Sequence, residues 1–294
     1  MKDSPSGGQI ALVLLLGVLW GLNWPTVKIA LAEIGPWTLR ASALSIASVA
    51  LVALSLARGR SLRIRRDHWW RVGVPGVLAI AAPNVLIAYA QLYAPTSRIA
   101  VVAFTMPIWA TILAWLFLGE PLDRRRLAGL ALGIAGLASL AWPLVVAGEI
   151  SIGLILALIA SVCWASGTVL MKRYPSETSA LSFATWQVVI GATFVSAGMF
   201  VFEGIGMPRA LSNPTLIAFA YHALLGQALA TAIWFEIVTR IPAGIAALGT
   251  LLVPAVGVAT AMLFLGERPS TTDFVGLALI IAAMGSVLLR GRRR

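Results

Sequence analysis

Apolar residues run along this chain in long blocks, each close to the roughly 20 residues that a bilayer-crossing helix needs. Short stretches rich in Pro, Gly and charge separate them. The pattern predicts ten spans, at 9–32, 37–57, 70–93, 98–118, 127–147, 151–171, 180–203, 214–236, 242–265 and 273–290. The connections are too short to hold a soluble domain. An apolar run ending near Ala30-Leu31-Ala32 imitates a signal-peptide cleavage site. Lys2 is offset by Asp3, however, and the segment has a counterpart later in the chain, so it is expected to belong to the mature fold.

The blocks are written twice. Leu116-Phe117-Leu118-Gly119-Glu120 recurs letter for letter as Leu263-Phe264-Leu265-Gly266-Glu267, an offset of 147 residues. Gly129-Leu130-Ala131-Leu132 recurs as Gly276-Leu277-Ala278-Leu279, and Pro95, Ala100, Pro107 and Ser139 recur as Pro242, Ala247, Pro254 and Ser286. Nearer the start, Trp20 and Lys28 match Trp164 and Lys172 at an offset of 144. Internal repeats set architecture, and the expected division is 1–148 and 149–294, five spans each. An odd number of spans turns the second copy upside down relative to the first. Inverted repeats of this kind place a substrate site near the midplane between the halves and let the two halves exchange conformations.

Composition narrows the class. The chain is 60% apolar and 11% charged, against about half and a quarter in soluble domains, so an all-α integral membrane protein is expected. The net charge of +11 needs no nucleic acid partner, because the basic residues fall in loops. Seventeen lie on one side, including Arg58 to Arg71, Arg124 to Arg126 and Arg290 to Arg294. Five lie on the other: Lys28, Arg40, Arg98, Arg209 and Arg268. The positive-inside rule then puts both termini in the cytoplasm. The single Cys163 excludes an intrachain disulfide and reads as a packing residue.

The repeated Leu-Phe-Leu-Gly-Glu, preceded by a mid-helix Pro and followed by Gly-Leu-Ala-Leu, resembles the drug/metabolite transporter superfamily with two EamA-type repeats. Trp20-Gly21-Leu22-Asn23-Trp24 is similar to that family's first-helix pattern. The resemblance runs from about Ile10 to Leu289, and the branch most similar is the YddG-type exporters of aromatic and other amino acids. It implies a transporter whose spans 1, 3, 4, 6, 8 and 9 line a central cavity.

Polar and aromatic groups in those spans are the candidate substrate contacts, since such groups are costly in a membrane. Trp20, Asn23 and Trp24 share one helical face. Trp20, Trp109 and Trp164 sit too deep for the interfacial belts that explain Trp37, Trp69, Trp70 and Trp142. Asn84, Tyr89, Gln91 and Tyr93 follow Pro83 in span 3; Tyr221, His222, Gln227 and Trp234 lie in span 8. His222 reads equally as a proton-handling group and as a neutral core residue with one interhelical hydrogen bond. The binding set is therefore Trp20, Asn84, Tyr89, Trp109, Trp164, Tyr221, His222, Gln227 and Trp234. Pro107 and Pro254, each removing a backbone donor near mid-span, read as hinges. Lys28, Lys172, Glu120 and Glu267 end related helices and read as structural or gating groups, with the glutamates pairing to Arg126 or Arg268. Gly17, Gly21, Gly129, Gly133 and Gly136 have spacing suited to close helix contact.

Absences complete the expectation. No Asp or Glu lies at mid-depth, which speaks against carboxylate-driven exchange of cationic drugs for protons, and no basic cluster suits a phosphorylated substrate. Neither a metal-ligand spacing, a phosphate loop nor a nucleophile with its base is present, so no enzyme, metal or cofactor is expected. The reading is an inner-membrane exporter of amino acids, taken as a monomer in the lipid bilayer, working by alternating access. The alternatives are efflux of drugs or hydrophobic metabolites and, less favoured, a channel-like facilitator or a membrane sensor.

Overall fold

The computed structural model describes residues 7–176, 178–204, 210–240 and 243–288, and among them only helices, turns and connections occur. Thirteen α-helices and two π-helical segments follow one another. They are α1 (Gly7–Ala30), α2 (Pro36–Ala57), α3 (Trp69–Gly76), α4 (Ala82–Tyr93), α5 (Thr96–Ala103), α6 (Met106–Leu118), α7 (Arg124–Ala147), α8 (Ile152–Arg173), α9 (Ala180–Phe202), α10 (Asn213–Ala220), α11 (Ala230–Arg240), α12 (Ala243–Leu265) and α13 (Thr271–Leu288). A single 3₁₀ turn, Arg66–His68, leads into α3. Among the described residues, eight stretches are long and apolar enough to cross a membrane, and two shorter apolar helices, Thr250–Leu265 and Thr271–Ser286, follow.

Irregular backbone explains why there are more helices than apolar blocks. α3 and α4 are one rod joined by the π-helical Val77–Ala81, and α10 and α11 are joined by the π-helical Tyr221–Leu229. Pro83 has no N–H to offer the carbonyl of Ala79, and Asn84 Nδ2 donates to the Ile80 carbonyl at 2.8 Å. The two mid-span prolines behave differently. At Pro107 the rod is broken: α5 stops at Ala103, the chain turns through Phe104 and Thr105, and α6 starts at Met106 with Pro107 in its first turn. Pro254 lies inside the unbroken α12.

The repeated Leu-Phe-Leu-Gly-Glu has a local cause. Gly119 and Gly266 both adopt left-handed φ, at 67° and 66°, and the N–H groups of Glu120 and Glu267 return to the carbonyls of Ala114 and Ala261. This is a Schellman-type helix stop, which glycine satisfies without a Cβ penalty. The apolar residues before it, Leu116, Phe117, Leu263 and Phe264, face outward, as a lipid-facing surface requires.

Helices from the first part of the chain pack on helices from the second: α1 on α12, α7 on α13, α2 on α9, and α4 and α6 on α8. Small residues allow the close approach. A Cβ on Gly21 would stand 2.3 Å from Val256 Cγ1, and one on Gly276 would stand 2.7 Å from Leu140 Cγ and 3.2 Å from the Gly136 carbonyl. In a bilayer such backbone proximity is a main source of helix association.

One end of the bundle is bound together by carboxylates. Glu203, after α9, accepts from the N–H groups of Trp37 and Thr38 at 3.0 and 2.8 Å, capping α2. Glu267, after α12, accepts from Thr96 N and Ser97 N at 2.6 and 2.9 Å, capping α5. Asp273 pairs with Arg98 at 2.7 Å, Glu33 accepts from Ser212 N, and Lys28 donates to the Gln91 carbonyl. Anionic groups at helix N-termini gain from both the orphan N–H donors and the helix dipole. At the opposite end Glu120 pairs with Arg126 at 2.9 Å and with Lys172, and the Lys172 ammonium holds the Glu120 carboxyl below its ordinary range. The expected Glu120–Arg126 pair is therefore present. Glu267, the other half of that expectation, caps a helix.

Candidate functional site

Between the two sets of helices lies a cavity of about 590 Å³, within the 300–1,000 Å³ typical of small-molecule sites. It extends from the α8–α9 connection, at Pro175, Ser176 and Thr178, inward to Trp24, Gln91 and Val253. Its floor lies toward the carboxylate-bound end, where Gln91 is fully buried and its Nε2 donates to the Trp24 carbonyl at 3.0 Å.

Aromatic rings form two parts of the wall. Trp20 and Trp234 face each other with centroids 5.6 Å apart. Phe104 sits edge-on between Trp24 and Trp164, at 6.3 and 6.2 Å. α1 contributes its single face of Trp20, Asn23 and Trp24, as helical spacing dictates. The break before Pro107 delivers Phe104. Amides supply the polar positions: Asn23, Asn84, Gln91, Gln187 and Gln227 all line the cavity. No carboxylate occurs among the described lining residues.

Of the nine residues singled out in sequence, Trp20, Asn84, Trp164, Gln227 and Trp234 line this cavity. The other four stand behind it. Trp109 donates through Nε1 to Thr105 Oγ1 at 3.1 Å, and Thr105 also shares a hydrogen bond with Ser161 at 2.9 Å, so this tryptophan braces the α5–α6 break. Tyr221 donates to the Leu19 carbonyl at 3.2 Å. Tyr89 packs in the α2–α9 core.

His222 is fully buried, with Nδ1 2.8 Å from Asn23 Oδ1 and Nε2 3.4 Å from Arg40 Nη1. A guanidinium only donates, so Nε2 accepts and the Nδ1 proton goes to Asn23. Gly226 makes room for that contact, since a Cβ there would lie 2.2 Å from Asn23 Oδ1.

Arg40 corrects the sequence reading, which counted it among the loop charges of one membrane face. It lies in the second turn of α2, is only 4% exposed and reaches the cavity wall. Its Nη1 donates to Asn84 Oδ1 at 3.1 Å. Arg40 is the one charged side chain among the described lining residues. Asn23, Trp24 and Gln91, noted in sequence but left out of the binding set, line the cavity too, as do Phe104, Phe183 and Gln187, which carried no sequence signal. Among the described residues no group of His, Cys, Asp and Glu is placed to hold a metal.

A helical membrane bundle around an aromatic and amide-lined cavity has the make-up of a small-molecule transporter. The family comparison specifies which kind: the model of the EamA-like transporter family matches residues 8–142 and again 151–289, and the chain belongs to that family. It is a transporter and not an enzyme. Relatives include the uncharacterized transporter YvbV of Bacillus subtilis, 29% identical over 97% of this chain and 92% of that protein. The probable terminal-alkyne amino-acid exporter of Streptantibioticus cattleyicolor is 28% identical over 97% and 95%. The probable amino-acid metabolite efflux pump of Salmonella typhimurium is 27% identical over 93% and 92%. A solved crystal structure shares the fold with a TM-score of 0.63 at 21% identity, covering 94% of this chain and 96% of that one.

Proposed function

We propose that this chain exports neutral amino acids, aromatic ones among them, and related small metabolites across a bacterial-type inner membrane. The observation that carries the reading is the cavity wall: paired tryptophans and a Trp–Phe–Trp edge give stacking surface, and five amides give hydrogen-bonding positions. Aromatic surface with a few polar groups suits a small zwitterion with an apolar side chain. Two relatives whose names refer to amino-acid export support it, and the YddG-type branch remains the proposed subtype.

The mechanism proposed is alternating access by ten spans in two inverted halves, 1–148 and 149–294, with both termini cytoplasmic. The twofold match of the family model and the pairing of first-half with second-half helices support that division. The cavity reaches the α8–α9 connection, the side assigned to the cytoplasm by Lys172 and Arg173, while the other end is closed by the glutamate caps. This is the arrangement of an inward-facing state. Trp20, Asn84, Trp164, Gln227 and Trp234 would contact substrate, Tyr89, Trp109, Tyr221 and His222 would position them, and Pro107 and Pro254 would act as hinges.

The test is uptake into liposomes holding only the purified protein, with labelled amino acids and no imposed gradient. Saturable uptake competed by unlabelled phenylalanine or methionine supports the reading. Its absence, repeated under a proton gradient, overturns it.

A further inference from the structure

The buried Arg40 has donors with no acceptor among the described residues. Nη1 is committed to Asn84 Oδ1 and His222 Nε2, both neutral. Nε is buried without a hydrogen-bond partner, and Nη2 makes no hydrogen bond to any described residue. These two nitrogens form one edge of the guanidinium, with parallel N–H vectors spaced for the two oxygens of a carboxylate. No described acid stands against Arg40. Glu33, Glu203, Glu267 and Asp273 at the nearer end of the bundle are each committed to helix caps or to Arg98.

A guanidinium taken out of water with no counter-charge is expensive to keep. The surrounding network holds it in place without neutralising it. Asn84 Oδ1 and His222 Nε2 fix Nη1; Asn23, held beside Gly226, in turn fixes His222. This shell positions a charge at the wall of a cavity whose other described lining residues are uncharged.

We propose that the Arg40 guanidinium, whose hydrogen-bonding capacity its described neighbours leave unfilled, is the carboxylate anchor of the transport site. The inference deepens the amino-acid reading and rests on it for its setting. The substrate's carboxylate docks on Arg40, and its apolar side chain lies along the tryptophan walls. Selection is then by charge as well as by shape. Amines and cationic drugs, which bring no carboxylate and are repelled by Arg40, are excluded from the same aromatic cavity.

The experiment is tryptophan-fluorescence titration of the purified full chain, with phenylalanine, 3-phenylpropionate, phenylalaninamide and phenethylamine as probes. Wild type is expected to bind the first two saturably, and the amide and the amine about thirtyfold or more weakly, the loss typical when a buried charge pair loses one partner. Arg40→Gln should erase that discrimination, and Arg40→Lys should keep part of it. Equal binding of acid, amide and amine to wild type overturns the anchor without relying on any variant, so poor folding of Arg40→Gln does not protect the idea. Discrimination that survives in Arg40→Gln overturns it as well. Arg40-dependent binding of 3-phenylpropionate without binding of phenylalanine would support the anchor and remove the amino-acid reading. Phenylalanine bound no better than its amide would do the reverse.

Discussion

Glu267 offers the sharpest test of how the closed end stays closed. Its carboxylate accepts from Thr96 N at 2.6 Å and Ser97 N at 2.9 Å, so α12 holds the first turn of α5. Glu267→Ala leaves both N–H donors without this acceptor. At about 1 kcal/mol net for each hydrogen bond, plus about 0.5 kcal/mol for the charge at a helix N-terminus, and discounted because Glu267 is half-exposed, the loss is about 2 kcal/mol. That shifts an open–closed equilibrium about thirtyfold. Glu267→Gln keeps one acceptor oxygen and should lie roughly halfway on a logarithmic scale.

Ser97, in the capped turn, is 3% exposed, so a cysteine there reports opening. In a Cys163→Ser, Ser97→Cys background, maleimide labelling of the detergent-solubilised protein should accelerate about thirtyfold with Glu267→Ala and about fivefold with Glu267→Gln. Glu149→Ala, in the α7–α8 connection, should change nothing. Rates for Glu267→Ala within twofold of the parent would refute the claim that this cap restrains the end.

Further outcomes follow from the same geometry. Glu120 has its pKa lowered by Lys172, so its contribution to stability is present above its unfolded value near 4.5 and is lost as pH falls through the lowered folded value. Glu120→Gln should therefore lower Tm at pH 7 and lower it less as pH falls toward 3, and equal losses at both pH values would contradict the pairing. Gly21→Val forces a side chain onto Val256 and should destabilise by about 1–3 kcal/mol, read as a lower Tm and poorer monodispersity. Trp164→Ala removes one ring of the Trp24–Phe104–Trp164 edge. It should raise KM for phenylalanine by about three- to tenfold and leave that for alanine nearly unchanged; equal changes would count against stacking.

Much of the membrane class and the doubled plan was legible because both rest on long-range regularities. Apolar blocks follow from bilayer thickness, and a Gly-Glu motif at two helix ends follows from the same left-handed stop. The α1 face of Trp20, Asn23 and Trp24 was legible for the same reason, since helical spacing alone aligns it. Arg40 was misread because a cation one turn into a span resembles one that reaches back to the interface. Glu203 caps that helix end and Asn84 and His222 hold the guanidinium, and no local pattern announces either partner. The π-helical segments escaped too. Pro83 marked only the first, and one extra residue in a helix changes the period too little to register over nine positions. Phe104 became a wall residue only through the break before Pro107, whose related proline in α12 produces no break.

Glu120 and Glu267 end the same five-residue motif, yet one forms ion pairs and the other caps a helix. The chain therefore carries two answers to one local problem and uses each once. The two ends are therefore held by different bonds, ion pairs at one and backbone N–H donors at the other, so changing Glu120 and changing Glu267 act on opposite ends of the molecule.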